Sequence, residues 1–164
     1  MINDISALEG AGALAAVAAS DCAVCLMHKQ NDPATMQLAP HYDDVVAEVK
    51  TYLAGRVAAV EAAGIARSRM VIDPGFGFGK NMTHNLKLLR NFAQFSELGV
   101  AVLAGLSRKS TIGKITGREA GERVFGSVAA ALLAVERGAG IVRVHDVAAT
   151  RDALAVYTAM REAG

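Results

Sequence analysis

Four short runs of apolar residues recur along the chain: "VCLMH" at 24–28, "MVIDP" at 70–74, "AVLAGLS" at 101–107 and "GIVRVHD" at 140–146. Each is nearly continuous in hydrophobicity, without the alternation of a half-exposed strand, and so predicts strands covered on both faces in a parallel sheet. The segments between them carry helical spacing with recognisable ends. Asp43 and Asp44 are placed to cap a helix through "VVAEVKTYLAGRVAAVEAAG", which stops at Gly64. "NLKLLRNFAQFSELG" runs to Gly99 and "RVFGSVAAALLAVERG" to Gly138, each glycine acting as a helix stop. A last helix is predicted after Thr150 through "RDALAVYTAMREAG", and an alanine-rich one over roughly 7–19.

Strand followed by helix, four times over, gives βα units whose crossovers are right-handed. Ahead of them, "MINDI" reads as the tail of one more strand. An eightfold βα barrel takes about 250 residues. These 164 supply about four units and a strand stump. The pattern therefore predicts an α/β chain folded as a single domain over 1–164: either a small open sheet or the C-terminal half of a TIM (β/α)8 barrel.

Composition removes several function classes. Apolar residues make up 52% of the chain and charged ones 20%, too hydrophobic for disorder, and a formal net charge of +1 argues against a nucleic-acid partner. No apolar run approaches the ~20 residues that cross a bilayer. "MINDISALEG" also lacks the basic and apolar regions of a signal peptide, so no membrane partner and a cytoplasmic location are expected. Cys22 and Cys25 form a C-x-x-C. Positions three apart on a strand face opposite ways, so two buried thiols are expected in place of a redox pair or half a zinc site.

Ligands in parallel βα architectures meet the carboxyl ends of the strands. The residues standing there are Asn3 and Asp4; Met27 and His28; Asp73; Ser107, Arg108 and Lys109; and Arg143, His145 and Asp146. The loop "GFGFGKN" after Asp73 fits neither nucleotide template: it is one spacer and a Ser or Thr short of a P-loop, and it lacks the G-x-G-x-x-G spacing. A mobile loop is expected, its Phe76 and Phe78 either covering a flat aromatic ligand or folding back onto the core. Asp73, partly buried after "MVI", needs partners. Lys109 from the neighbouring strand is one candidate, a ligand with adjacent N–H donors such as an aminopyrimidine ring is another, and a turn or cap role is the plain alternative. "SRKS" sets Arg108 and Lys109 side by side at a helix start, an arrangement for an anionic or polar ligand or, more plainly, a solvated basic surface. Arg143 and His145, two apart in "VRVHD", share a face of the last strand and suit a pyrophosphate. His28, His41 and His84 are read as turn, surface or cap residues, and no His/Cys/Asp spacing makes a transition-metal site.

The segments "IND", "LMH.Q..P..MQ..P.Y", "DPGFGFGKN…HN", "GLSRKS.IG" and "RVHDV", in that order and over essentially the whole chain, resemble dihydropteroate synthase of bacterial folate synthesis. The resemblance implies a (β/α)8 barrel that joins 4-aminobenzoate to 6-hydroxymethyl-7,8-dihydropterin diphosphate and releases pyrophosphate, with magnesium assisting. It implies that Asn3, Asp73 and Lys109 bind the pterin ring, with Met27 and Gly105 lining its slot. It similarly implies that Phe78, Ser107 and Arg108 shape the aminobenzoate site and that Arg143 and His145 hold the diphosphate. Lys109, Arg143 and His145 are the catalytic candidates on that basis. In the family reaction pyrophosphate departs to leave a pterin-stabilised cation that the aniline nitrogen attacks, so positioning and electrostatics carry the chemistry and no protein nucleophile is needed.

The first strands of the family barrel have no counterpart in these residues. They carry its remaining pterin carboxylate and the asparagine associated with magnesium, so no metal ligand is expected within this chain and the isolated chain is expected to lack turnover. Its uncovered strand edges are expected to pair with a second copy, giving a homo-oligomer, or with the rest of a longer parent. Two other readings compete. One is a pterin-dependent methyltransferase on the same barrel type, sharing the Asn3 and Asp73 contacts; the other is a non-catalytic half-barrel that binds a pterin or a partner chain.

Overall fold

The computed structural model describes residues 1–31, 36 and 38–163. Five parallel strands form one sheet in chain order: β1 (Ile2–Asp4), β2 (Val24–Met27), β3 (Met70–Asp73), β4 (Ala101–Ala104) and β5 (Ile141–Val142). The helices are α1 (Ala13–Ala18), α2 (Val45–Ala62), α3 (Met82–Arg90), α4 (Ser110–Thr116), α5 (Val124–Glu136) and α6 (Val147–Glu162). Each strand neighbours the next in sequence and the winding never reverses, so right-handed crossovers put the helices on one face.

The two faces bury different residues. Val24, Leu26, Met70, Ile72, Val102 and Ala104 meet the helices in the main core, together with Val49, Leu53, Leu88, Phe92 and Phe95. The alternate positions Cys25, Val71 and Leu103, with Ile141 against them, make a small separate cluster on the opposite face. Above that cluster the same face ends in polar groups, because the register sets Asn3 beside Cys25 and Met27 beside Asp73.

Helix ends follow the local chemistry. Asp44 caps α2 by accepting from the amides of Val46 at 2.9 Å and Ala47 at 3.2 Å, and Val46, Val49, Leu53, Val57 and Val60 form its buried stripe. Asn81 and His84 cap α3 reciprocally, which makes His84 the cap residue expected of it. Gly99 and Gly138 follow their helical segments in the left-handed region, at φ 68° and 95°.

Several boundaries differ from the pattern, each for a local reason. No helix covers 7–12, because the Asp4 carboxylate accepts from the amides of Ser6 and Leu8 and winds the chain into turns, with Ala7 and Leu8 at positive φ. The helix leading to Gly99 breaks: α3 stops where the Asn91 side chain donates to the Lys87 carbonyl, and a 3₁₀ segment (Phe92–Leu98) follows that buries Phe92 and Phe95 completely. α6 starts at Val147, before Thr150, whose hydroxyl donates to the Asp146 carbonyl from inside the first turn. Its predicted end includes Gly164, which lies outside the described residues, as do Pro33 and Gln37 of the "LMH.Q..P..MQ..P.Y" segment. Finally, only Cys25 is buried. Cys22 precedes β2 in an exposed loop, and both thiols are free.

Candidate active site

At the carboxyl end of the sheet, side chains from three strands meet through Arg143. This residue continues the β4–β5 ladder by donating its amide to the Ala104 carbonyl at 3.0 Å. Its guanidinium then reaches back across the sheet, donating from Nη1 to Asn3 Oδ1 at 3.0 Å and from Nη2 to Asp73 Oδ2 at 2.9 Å. Gly105 makes that path passable, since a β-carbon there would lie 2.6 Å from Nη2. Asp73 is 1% exposed, so this ion pair is desolvated on the carboxylate side alone. Its other oxygen accepts from the Gly75 amide at 2.8 Å. The partner of Asp73 is thus Arg143, not Lys109 as the strand order suggested.

Lys109 instead donates to the Phe76 carbonyl and holds its ammonium 4.6 Å from the centre of the Phe78 ring. Burial pulls its pKa down to about 8, against the opposing pull of the Asp73 carboxylate, with Arg143 lowering it further. The glycine loop it touches is tied down at almost every peptide, contrary to the mobile loop read from its glycines. Lys80 donates to the Gly75 and Phe78 carbonyls, Asn85 accepts from the Gly77 amide, and Tyr42 donates to the Gly79 carbonyl. Glycine is needed for a different reason: a β-carbon on Gly75 would lie 1.8 Å from the His28 carbonyl oxygen, and one on Gly79 2.7 Å from Gln30. Both residues also have positive φ. The two phenylalanines part company here. Phe76 is buried and stacked on Phe92 at 6.0 Å, while Phe78 stays half-buried beside Lys109.

Arg108 and Lys109 do not act as a pair of neighbouring charges. Arg108 sits at φ 57°, its amide donating to Ser127, and its guanidinium forks onto the Asp146 carboxylate at 3.1 and 2.5 Å. That pairing holds the Asp146 carboxyl below its usual range. Ser107, 5% exposed, accepts from the His145 amide at 3.1 Å and lies 3.0 Å from His145 Nδ1. Arg143 and His145 therefore do not share a strand face. β5 ends at Val142, and past Arg143 the chain turns to follow the β4–α4 loop. Met27 is fully buried, beside Asp73 in register.

The structure thus gathers Asn3, Asp73, Gly105 and Arg143 into one group, sets Lys109 and Phe78 against the loop beside it, and clips Ser107 and Arg108 to His145 and Asp146. Sequence reasoning missed Asn85, Tyr42 and Lys80 as the loop's holders, and His28 as their neighbour. His28 is no turn or surface residue: it is 7% exposed, edge-on to Tyr52 at 5.0 Å, with Nδ1 2.9 Å from Lys80 Nζ. A buried position for Lys80 was signalled only by its place inside a loop whose glycines demand close packing. Among the described residues no three His, Cys, Asp or Glu side chains stand close enough to hold a metal ion.

The model of the pterin binding enzyme family matches residues 1–145. The chain belongs to that family. It is 54% identical over 165 residues to the dihydropteroate synthase of Neisseria meningitidis serogroup B, covering 98% of this chain and 58% of that protein. The Escherichia coli dihydropteroate synthase is 49% identical over 159 residues, covering 97% and 56%. Among solved structures, that of dihydropteroate synthase from Xanthomonas albilineans in complex with 7,8-dihydropteroate superposes with a TM-score of 0.94 at 55% identity, covering 100% of this chain and 60% of that one. The chain spans less than two thirds of the length of these relatives. They are TIM barrels, so of the two architectures the pattern allowed, the five-stranded sheet corresponds to part of such a barrel.

Proposed function

We propose that the chain carries the pterin, aminobenzoate and diphosphate contacts of a dihydropteroate synthase, as one pterin-binding domain working in the cytoplasm. The observation that supports this most is the Arg143 bridge, which brings Asn3, Asp73 and Gly105 to one spot at the carboxyl end of the sheet. A guanidinium offering two N–H donors to Asn3 and Asp73 has the same donor pattern as the aminopyrimidine edge of a pterin. The pterin edge takes over those acceptors and turns the Arg143 cation outward, where with His145 it meets the diphosphate. Asp73 and Asn3 orient the ring, Met27 and Gly105 line its slot, and Lys109 donates to its polar edge. Phe78, Ser107 and Arg108 bound the aminobenzoate.

The reaction then proceeds by positioning and charge. The bond from the pterin methylene carbon to the diphosphate oxygen breaks with both electrons going to pyrophosphate, whose growing charge Arg143 and His145 stabilise. The aniline nitrogen of 4-aminobenzoate bonds to that carbon and releases a proton to solvent. The described residues do not fit a magnesium ion: on this reading the Asn3 and Asp73 oxygens at the rim are taken by the pterin edge, and among the described residues no three His, Cys, Asp or Glu side chains stand together to hold it. No step is routed through the metal.

On this reading the isolated chain binds pterin but needs groups outside these residues to turn over. It either self-associates across the open edges of β1 and β5 or is completed by a longer protein, and a single monomeric species at every concentration in gel filtration would exclude self-association. Titrating 6-hydroxymethyl-7,8-dihydropterin diphosphate into the chain and then assaying condensation with 4-aminobenzoate tests the assignment. Saturable binding without condensation is expected. Absence of pterin binding contradicts the proposal.

A further inference from the structure

The glycine loop between Asp73 and α3 contains a lysine that the reaction does not use. Lys80 is 3% exposed, and its ammonium has three partners: the Gly75 carbonyl at 3.0 Å, the Phe78 carbonyl at 3.0 Å and His28 Nδ1 at 2.9 Å. A buried cation among carbonyls and an imidazole, with no carboxylate bonded to it, is costly unless its geometry is used for something. The two carbonyls it holds flank the Phe76–Phe78 turn. Its third partner belongs to the segment just after β2, so it joins the loop to a neighbouring strand end. Tyr42 adds one bond to the same loop, and Asn85 accepts from the Gly77 amide and donates to the Lys80 and Asn81 carbonyls; among the described residues Lys80 is the side chain that bonds both the Gly75 and the Phe78 carbonyl and ties them to the β2 end.

We propose that Lys80, seated on His28, is a positioning residue that fixes the backbone of 75–79 and, through it, the Phe78 ring. The purpose assigned to this anchor rests on the reading of Phe78 as an aminobenzoate contact. The chain of contact is short. Lys80 holds the Phe78 carbonyl, the Phe78 ring faces Lys109, and Lys109 donates to the Phe76 carbonyl inside the turn that Lys80 closes. The pterin contacts also have anchors outside the loop, Asp73 in β3 and on Arg143 besides its bond from the Gly75 amide, and Lys109 at the start of α4, so loosening the loop moves the Phe78 ring more than it moves them.

Burial supports the assignment. It pulls the Lys80 pKa down to about 7, with Asp73 opposing and Lys109 adding to the fall, and pushes that of His28 down to about 3, with the Lys80 charge assisting. His28 is therefore a neutral imidazole whose Nδ1 accepts from the ammonium. A neutral amine keeps the same three contacts by donating to the two carbonyls and accepting from Nδ1–H after a tautomer change. The anchor thus holds in both protonation states.

The test compares Lys80→Met, which keeps the length of the stem without donors, with Lys80→Gln, which keeps N–H donors, and with His28→Phe, which removes the seat. In Lys80→Met, hydrogen exchange at the Gly75, Gly77 and Phe78 amides accelerates about ten-fold or more over that at the β2 and β3 amides. Lys80→Gln restores part of the protection, and His28→Phe shows the same selective loss more weakly. Uniform acceleration across the sheet, or unchanged loop exchange, overturns the anchor. In ligand titrations Lys80→Met weakens 4-aminobenzoate binding about ten-fold, or ~1.4 kcal/mol, and dihydropterin binding less than about three-fold. Equal losses for both ligands indicate a merely structural lysine and overturn the positioning role. If the unaltered chain binds neither ligand, the functional reading fails, while loop exchange still decides the anchor on its own.

Discussion

In the proposed function Arg143 has two jobs, and they are separable by choice of ligand. Its guanidinium neutralises Asp73 and supports Asn3, yet the side chain is 42% exposed and attached to a chain that leaves the sheet immediately afterwards. Removing it frees the Asp73 and Asn3 acceptors for a pterin ring but deletes the cation that the proposed function sets beside the diphosphate. Arg143→Ala should therefore leave the affinity for 6-hydroxymethyl-7,8-dihydropterin unchanged or raised, and weaken binding of its diphosphate by roughly ten-fold or more, the scale of a charge-assisted hydrogen bond. Calorimetric titration of both ligands checks this; equal weakening of the two would show that the guanidinium serves the ring. A complete enzyme carrying the same change is expected to turn over more slowly.

At the scale of elements, the decisive contact is between the glycine loop and the segment following β2. Gly75 combines φ 70° with a His28 carbonyl oxygen 1.8 Å from where a β-carbon would stand, and that obstacle is backbone. Gly75→Ala should lower stability by more than about 2 kcal/mol, the left-handed penalty alone being ~1–2 kcal/mol. Thermal or urea unfolding measures it, and a change below 1 kcal/mol, roughly the surface-substitution range, would refute the close approach. The same junction sets a pH dependence. His28 has its pKa depressed from 6.5 to about 3, so the unfolded chain takes up the proton first. This group then removes stability as pH falls from 6.5 towards 3, by up to ~1.4 kcal/mol per pH unit, and adds no pH dependence above that window. Lys80 acts in another window: depressed from 10.5 to about 7, it lets stability rise with pH between those values. Substituting His28 by glutamine should flatten the acid limb of a stability–pH curve relative to the unaltered chain. An identical acid limb would exclude the histidine as its source.

For the whole molecule, the strands and the polar strand ends were legible because continuous apolar runs and helix stops are local signals, whereas the strand order was narrowed from an open sheet or a barrel only by the family resemblance. The pairing at the rim was not, because it depends on sheet curvature. Asn3 and Arg143 lie 140 positions apart in sequence yet share a hydrogen bond, and nothing near either residue announces it. Lys109 was a reasonable partner for Asp73 by strand adjacency, but its ammonium turned to the loop carbonyl when Arg143 reached across Gly105. The glycines were read as a sign of motion, whereas they mark where two backbones touch. Helix ends slipped where a side chain competed for backbone groups, as Asp4 and Asn91 do.

The proposed function depends on Asp73 meeting a pterin at the rim that Arg143 assembles. Its most direct test is calorimetric titration of 6-hydroxymethyl-7,8-dihydropterin into the chain and into Asp73→Asn. Saturable binding by the unaltered chain is expected, with a loss of about ten- to a hundred-fold on substitution, the equivalent of one or two charge-assisted hydrogen bonds. Equal affinity of the two proteins, or no binding by either, would contradict it.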